Sequence, residues 1–383
     1  MKVSHYCGNF SKLSETFIYN YISEIERQEG GSWVVTHKRK NRRRRPFPRI
    51  KIVERPSRWS PRRVYHRLRL WGTEQPSPES FWPQIRDRLS AIVSDVQPDV
   101  IHAHFGGQGV RVAPVAEKLQ IPLVVTFYGS DISAAADEEF WRRKYQALWP
   151  RVGAVTVLSE DMKEKAQSLG CPPSKIRIVH LSRDLEDFPF DPPEQKISNV
   201  LFVGRLVPKK APIDTLEAVR TAREKGAQLR LDVVGDGCLR EKVEQYVTDK
   251  NMQNVRIHGR VPSSEVGKYM READAFLLPS KTAPNGDEEG TPTVLVEAQA
   301  TGLPCVTTHH SGIPEMIPEK NRDLLSTPGN IESLAATLLM LTKLSVEDVQ
   351  ARAEAGRRKV EQEFNLSEEV RKLLSVYRRA AKE

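Results

Sequence analysis

Short apolar runs alternate with helix-length amphipathic stretches along almost the whole chain, the signal of parallel α/β layers. In the first half the runs predict strands at Lys2 to Tyr6, Trp33 to Thr36, Val100 to Ala103, Leu123 to Phe127, Ala154 to Leu158 and Ile176 to Val179. A second series follows at Asn199 to Val203, Leu231 to Val234, Val255 to His258, Ala275 to Leu278 and Cys305 to Thr307. Between them lies a proline-rich, charged stretch from Pro189 to Lys196. The pattern predicts an α/β domain over 1–188, a linker at 189–198 and a second α/β domain over 199–366. A last amphipathic helix, Ser367 to Ala381, is long enough for 367–383 to cross back onto the first domain. At 383 residues the chain exceeds one ordinary core, which agrees with two domains.

The segment Glu288-Glu289-Gly290-Thr291-Pro292-Thr293-Val294-Leu295-Val296-Glu297 sets Glu289 and Glu297 eight positions apart around a turn. Pro292 is expected at the first helical position, where its missing N–H has no intrahelical partner anyway. Glu289 then sits in the loop and Glu297 on the helix. The N–H groups of Thr293, Val294 and Leu295 are expected to be free, making an anion cradle beside Gly290 and Thr291. Two nearby carboxylates also invite a general acid and base reading.

Other polar residues fall at predicted strand ends. Gly204 and Arg205 follow one strand, with Lys210 five residues on; two cations at that edge suit a diphosphate, while solvated loop charges are the plainer alternative. Gly235-Asp236-Gly237 resembles a weak phosphate loop but also a simple tight turn. His102 and His104 end the Val100 strand. No carboxylate or further histidine lies near in sequence to complete a metal site, so His104 reads as a polar catalytic or substrate contact and His102 as a core histidine. Tyr128 and Asp131 close the next strand and make an acceptor-side wall with His104.

Charge is unevenly placed. Residues 38–69 carry +14 of a formal +9, so the rest of the chain is at −5. The segment includes Arg42, Arg43, Arg44 and Arg45 and ends in a stretch mixing Arg62 and Arg63 with Trp59 and Trp71. That composition suits an anionic membrane surface; a nucleic acid is the less favoured partner and a solvated loop the plainest. Cys7, Cys171, Cys238 and Cys305 are scattered, which argues against zinc and disulfides and predicts buried small hydrophobes. The first residues lack signal-peptide features and no apolar run reaches membrane-spanning length, so a cytoplasmic protein, soluble or peripheral on the inner membrane face, is expected.

Several motifs occur in a specific order: Gly204-Arg205 with Lys210, Gly235-Asp236-Gly237, the Glu289 to Glu297 pair continuing through Ala300-Thr301-Gly302-Leu303-Pro304, and Ser311-Gly312-Ile313-Pro314-Glu315. In this order they resemble retaining glycosyltransferases of family 4, which have the GT-B fold of two facing Rossmann-like domains. Leu13-Ser14-Glu15-Thr16-Phe17-Ile18, His102-Ala103-His104-Phe105-Gly106 and Thr126-Phe127-Tyr128-Gly129-Ser130-Asp131 resemble the branch that builds exopolysaccharides such as colanic acid. Ala211 stands where the family commonly has glycine, Tyr128 where the branch often has histidine, and the first turn carries Gly8 instead of a glycine pair.

The resemblance implies that Arg205 and Lys210 hold the diphosphate of a UDP- or GDP-sugar, Glu297 the ribose and Glu289 the transferred sugar. Arg260 and Val261 would lie by the base, and His104 beside the sugar and acceptor, the acceptor being expected to be a lipid-linked glycan. Retention is generally explained by attack on the face the nucleotide leaves, with a donor phosphate oxygen taking the acceptor's proton. No metal or other cofactor is then expected, and no Asp-x-Asp motif occurs. The carboxylates become hydroxyl clamps. Two other classes compete: a catalytically silent module binding nucleotide sugars or RNA, and a nucleotide-sugar epimerase of the same fold.

Overall fold

The computed structural model describes residues 1–12, 15–55, 61, 82–134 and 138–382. Among them two all-parallel sheets form. The first, ordered β3-β2-β1-β4-β5-β6-β7, comprises β1 (Val3–Phe10), β2 (Ser32–Arg39), β3 (Ile50–Ile52), β4 (Val100–His104), β5 (Leu123–Thr126), β6 (Ala154–Val157) and β7 (Ile176–Ile178). The second, ordered β10-β9-β8-β11-β12-β13, comprises β8 (Asn199–Val203), β9 (Arg230–Val234), β10 (Val255–Gly259), β11 (Ala275–Leu277), β12 (Cys305–Thr308) and β13 (Leu325–Ser326). Strands β4, β5, β6 and β8 are buried at every residue, as expected where helices cover both faces of a parallel sheet. In each sheet the order reverses beside the first strand, which opens a crevice at the carboxyl ends.

The two-domain α/β expectation holds, with local differences. β1 continues through Cys7 to Phe10, where a turn was expected, because its ladder with β2 runs on to Phe10 and Arg39. Cys7 and Phe10 close a small apolar cluster with Ile18, Ile22 and Val34. β3 and β13 have too few residues to show a period; pairing of Ile50 with Val34, and of Leu325 with Thr307, holds them. Of the four cysteines Cys238 is exposed, against expectation, and the other three are buried.

The chain leaves the first core at Leu181 and has entered the second by Leu185. The segment expected as a linker instead lies along the second domain, where the Asp191 N–H donates to the Thr301 carbonyl at 2.7 Å. The return passes from Phe364, in the second core, to Leu366, in the first. There Asn365 caps the helix Leu366–Ala380 by accepting from the Ser367 N–H, and Val370, Leu373, Leu374 and Tyr377 bury themselves against the first sheet. No helix among the described residues is long and apolar enough to cross a membrane.

The carboxyl edges of the two sheets meet. Glu315 accepts the N–H groups of Glu160 (2.9 and 3.0 Å) and Asp161 (3.3 Å), an anion at the start of the helix Glu160–Ser168. Ser311 donates to Asp161 at 2.7 Å, and Lys165 pairs with both Asp161 and, across the gap, Glu288. Contact is close at Gly312, where a Cβ would lie 2.7 Å from the Ser159 Cβ.

Candidate active site

The loop between β11 and the helix Thr293–Thr301 carries the acidic motif, and neighbouring cations brace it. Lys209 donates to Asp287 Oδ1 and to the Glu288 carbonyl, both at 3.0 Å. The Glu289 N–H donates to His310 Nε2 at 3.2 Å. The Glu289 carboxylate lies 2.5 Å from Lys210 Nζ, with both side chains about nine-tenths buried. Burial opposes ionisation of Glu289, but the charges of Lys210, Lys209 and Arg205 outweigh it and hold the carboxyl below its usual range. Burial likewise pulls Lys210 below its usual value, and Glu289 offsets that only in part; the two face each other as a buried ion pair.

Pro292 caps the helix instead of opening it: the first helical residue is Thr293, and the Leu295 N–H is taken by the Pro292 carbonyl at 2.9 Å. The cradle is therefore narrower than the spacing implied, with the N–H groups of Thr293 and Val294 unpartnered among the described residues. Gly290 and Thr291 are buried in the turn before it. Glu297 faces Arg183, whose Nε lies 2.5 Å from Oε1 and whose Nη2 donates to Thr293 Oγ1 at 3.1 Å. Burial still leaves the Glu297 carboxyl above its usual range, since Arg183 offsets it only in part.

Three βα turns stand in a row beside this helix. The Gly204 N–H donates to Val234 and the Gly235 N–H to Gly259, which brings the turns bearing Arg205, Asp236 and Arg260 together. Arg205 and Arg260 are exposed and Val261 half-buried. Gly235 and Gly237 have a packing reason: a Cβ would lie 1.8 Å from the Gly204 carbonyl oxygen at the first and 2.4 Å from that of Leu206 at the second. The tight-turn reading suffices for them. Lys210 ends a short 3-10 turn, and Ala211 then takes a left-handed conformation (φ 47°), which glycine adopts at least cost.

On the first-domain side the structure corrects two assignments. His104 is buried, not exposed at the cleft: its Nδ1 meets the Tyr128 hydroxyl at 2.7 Å and its Nε2 meets His5 Nδ1 at 3.3 Å. Asp131 is spent on backbone groups, accepting the Tyr128 N–H of its own turn (2.9 Å) and the Gly106 N–H at the helix start after β4 (2.8 Å), and burial pushes its carboxyl up to about 6. Tyr128 is the half-exposed member, with its carbonyl near Gly290 of the opposite domain. Gly8 lies within β1 beside Gln108. His102 is the core histidine expected, held by Thr126 Oγ1 and the Tyr377 hydroxyl, each at 2.6 Å.

A third histidine, invisible to local spacing, completes a cluster. His5 lies opposite His102 in the β1–β4 ladder, and one ring nitrogen from each of His5, His102 and His104 falls within 4.8 Å of the others. Zinc takes such a number of ligands. Both nitrogens of His102 and of His104 already have partners and no carboxylate among the described residues joins them, so the donor set fits a hydrogen-bonded core better than a metal centre.

The basic segment is partly structural. The Arg45 guanidinium turns inward to the Lys12 carbonyl at 3.1 Å, Arg39 covers the Phe10 ring at 4.6 Å and bonds the Arg45 carbonyl, and Lys51 pairs with Asp95 at 2.9 Å. Arg42, Arg43 and Arg44 remain exposed. Trp59, Arg62, Arg63 and Trp71 lie outside the described residues, as do Leu13 and Ser14.

A family model described as Glycosyltransferase Family 4 matches residues 14–187, and one described as Glycosyl transferases group 1 matches residues 184–359. The chain is 31% identical over 397 residues to the putative colanic acid biosynthesis glycosyltransferase WcaL of Escherichia coli K12, covering 95% of this chain and 96% of that protein. It belongs to glycosyltransferase family 4. Its similarity to the amylovoran biosynthesis glycosyltransferase AmsK of Erwinia amylovora is 34% over 289 residues, 74% of this chain and 70% of that one. The fold matches Anabaena Alr3699/HepE, solved with UDP and glucose, at TM-score 0.77 and 15% identity over 98% of each chain. That likeness fixes the GT-B architecture.

For this family 4 chain, the motifs placed the acidic loop, its helix and Lys210 together. They did not reveal Arg183, Lys209 or Lys165. A single cation carries no periodic signal, and Arg183 and Lys209 find their carboxylates only across a domain or between turns, while Lys165 adds Glu288 of the opposite domain to its helical neighbour Asp161.

Proposed function

We propose that the protein is a retaining, metal-independent glycosyltransferase that moves a hexose-type sugar from a UDP- or GDP-sugar to a growing glycan during cell-surface polysaccharide synthesis. The observation that carries this is the buried Lys210–Glu289 pair beside a helix start with two free N–H groups. A diphosphate bound there meets Lys210, Arg205 and the Thr293 and Val294 N–H groups, which neutralise charge as it grows on the leaving group. Glu289 accepts hydroxyls of the sugar and Glu297 those of the ribose, while Arg260 and Val261 border the base. The acceptor hydroxyl enters from the Tyr128 side, and a donor phosphate oxygen takes its proton as the glycosidic bond forms. His104 acts behind Tyr128 by orienting its hydroxyl.

Thermal-shift screening against UDP-glucose, UDP-galactose, GDP-mannose and GDP-fucose, followed by assay of nucleoside diphosphate release with EDTA present, tests the reading. Stabilisation by one donor and metal-free release support it; stabilisation without release favours the silent module, and sugar interconversion without acceptor favours the epimerase.

The relatives named for colanic acid and amylovoran synthesis support a polysaccharide acceptor. A lipid-linked acceptor would bring the protein to the inner membrane face, where the exposed Arg42, Arg43 and Arg44 each contribute on the order of 1 kcal/mol toward anionic lipid. Liposome co-sedimentation should show salt-sensitive binding to phosphatidylglycerol vesicles; equal binding to neutral ones retires the membrane claim.

A further inference from the structure

Arg183 belongs to none of the motifs and lies outside both sheets, where the chain leaves the first domain. Its backbone is held by the segment on which the chain returns: its N–H donates to the Phe364 carbonyl at 3.3 Å, and its carbonyl accepts the Leu366 N–H at 3.0 Å. Its side chain runs into the second domain, to Glu297 Oε1 and Thr293 Oγ1. Those two residues are four apart on one helix face, so the fork spans a single turn. A planar guanidinium can hold both at once in fixed geometry, which an ammonium cannot. Glu297 is largely buried, and without a partner its ionised form would be costly there.

We propose that Arg183 is a positioning residue for the donor nucleotide: anchored where the two interdomain crossings meet, it fixes the Glu297 carboxylate and the start of its helix for the ribose hydroxyls. A carboxylate has about four lone-pair sites, so one held by Arg183 keeps capacity for both ribose hydroxyls. The inference rests on the proposed donor site and adds to it the residue that sets the ribose clamp.

Calorimetric titration of UDP and GDP, and of their 2′,3′-dideoxy counterparts, into the full chain tests it. For whichever nucleotide the wild type binds, Arg183→Met is expected to weaken binding about tenfold or more, the scale of a lost hydrogen bond to a charged group. Binding of the dideoxy counterpart should stay within about twofold. Arg183→Lys should recover only part of the loss. The double variant Arg183→Met/Glu297→Gln, which buries no unpaired charge and so covers any failure of the single variant to fold, should bind like Glu297→Gln alone. Equal losses for the normal and dideoxy nucleotides, or a double variant weaker than Glu297→Gln, would overturn the inference while leaving the donor site in place. A wild type that binds no nucleoside diphosphate would remove the proposed function and this inference together.

Discussion

Acid should unfold the first domain through its histidine cluster, and the size of the effect follows from burial. His104 is fully enclosed, and burial lowers its pKa from 6.5 to about 3. His5 and His102 are pushed well down too, by burial first and then by the neighbouring imidazoles. A histidine whose folded pKa is depressed takes up protons mainly on unfolding, so its contribution is complete above pH 6.5 and is lost as pH falls toward 3. Between pH 8 and pH 5 the unfolded His104 gains nearly a full proton and the folded one almost none, which costs about 2 kcal/mol. His5 and His102 add in the same direction.

All six tryptophans lie in the first half of the chain, with Trp149 in its core, so tryptophan fluorescence during urea unfolding reports that domain. His104→Asn cannot take up the proton. It should therefore lose about 2 kcal/mol less than wild type between pH 8 and pH 5, whatever its stability at pH 8. Identical acid losses in the two proteins would show that His104 titrates normally and would refute the burial argument.

Three further outcomes are expected. Lys210→Met strands the Glu289 carboxylate and should cost about 3–5 kcal/mol by chemical denaturation, with most of it restored in Lys210→Met/Glu289→Leu. Gly312→Ala sets a methyl against Ser159 and should cut turnover without lowering either domain's thermal midpoint; since glycine caps a helix nearly as well as serine, adding Ser159→Gly should bring activity back. Ala211→Gly relieves a left-handed backbone and should stabilise the protein by up to about 1 kcal/mol in the same denaturation assay.

The α/β alternation and the order of the motifs made the two sheets and the acidic helix legible, because both depend on near neighbours in sequence. Side-chain partners across the fold were not. His104 and Asp131 were placed correctly at strand ends, yet nothing in their surroundings in sequence says that Tyr128 covers one and that a turn consumes the other. His5 joins its cluster only through the β1–β4 ladder. The linker was misplaced for a related reason: proline and charge mark irregular chain, and residues 188–198 are irregular while packed on the second domain.

Sugar transfer itself is the most direct test. A tritiated donor that passes the thermal-shift screen, incubated with a cell-envelope fraction that supplies glycan acceptors, should yield labelled glycan and free nucleoside diphosphate in equal amounts. Glu289→Gln, which keeps the side chain's size and removes its charge, should abolish both while still folding. Undiminished transfer by Glu289→Gln, or no transfer by wild type from any UDP- or GDP-sugar, would contradict the account.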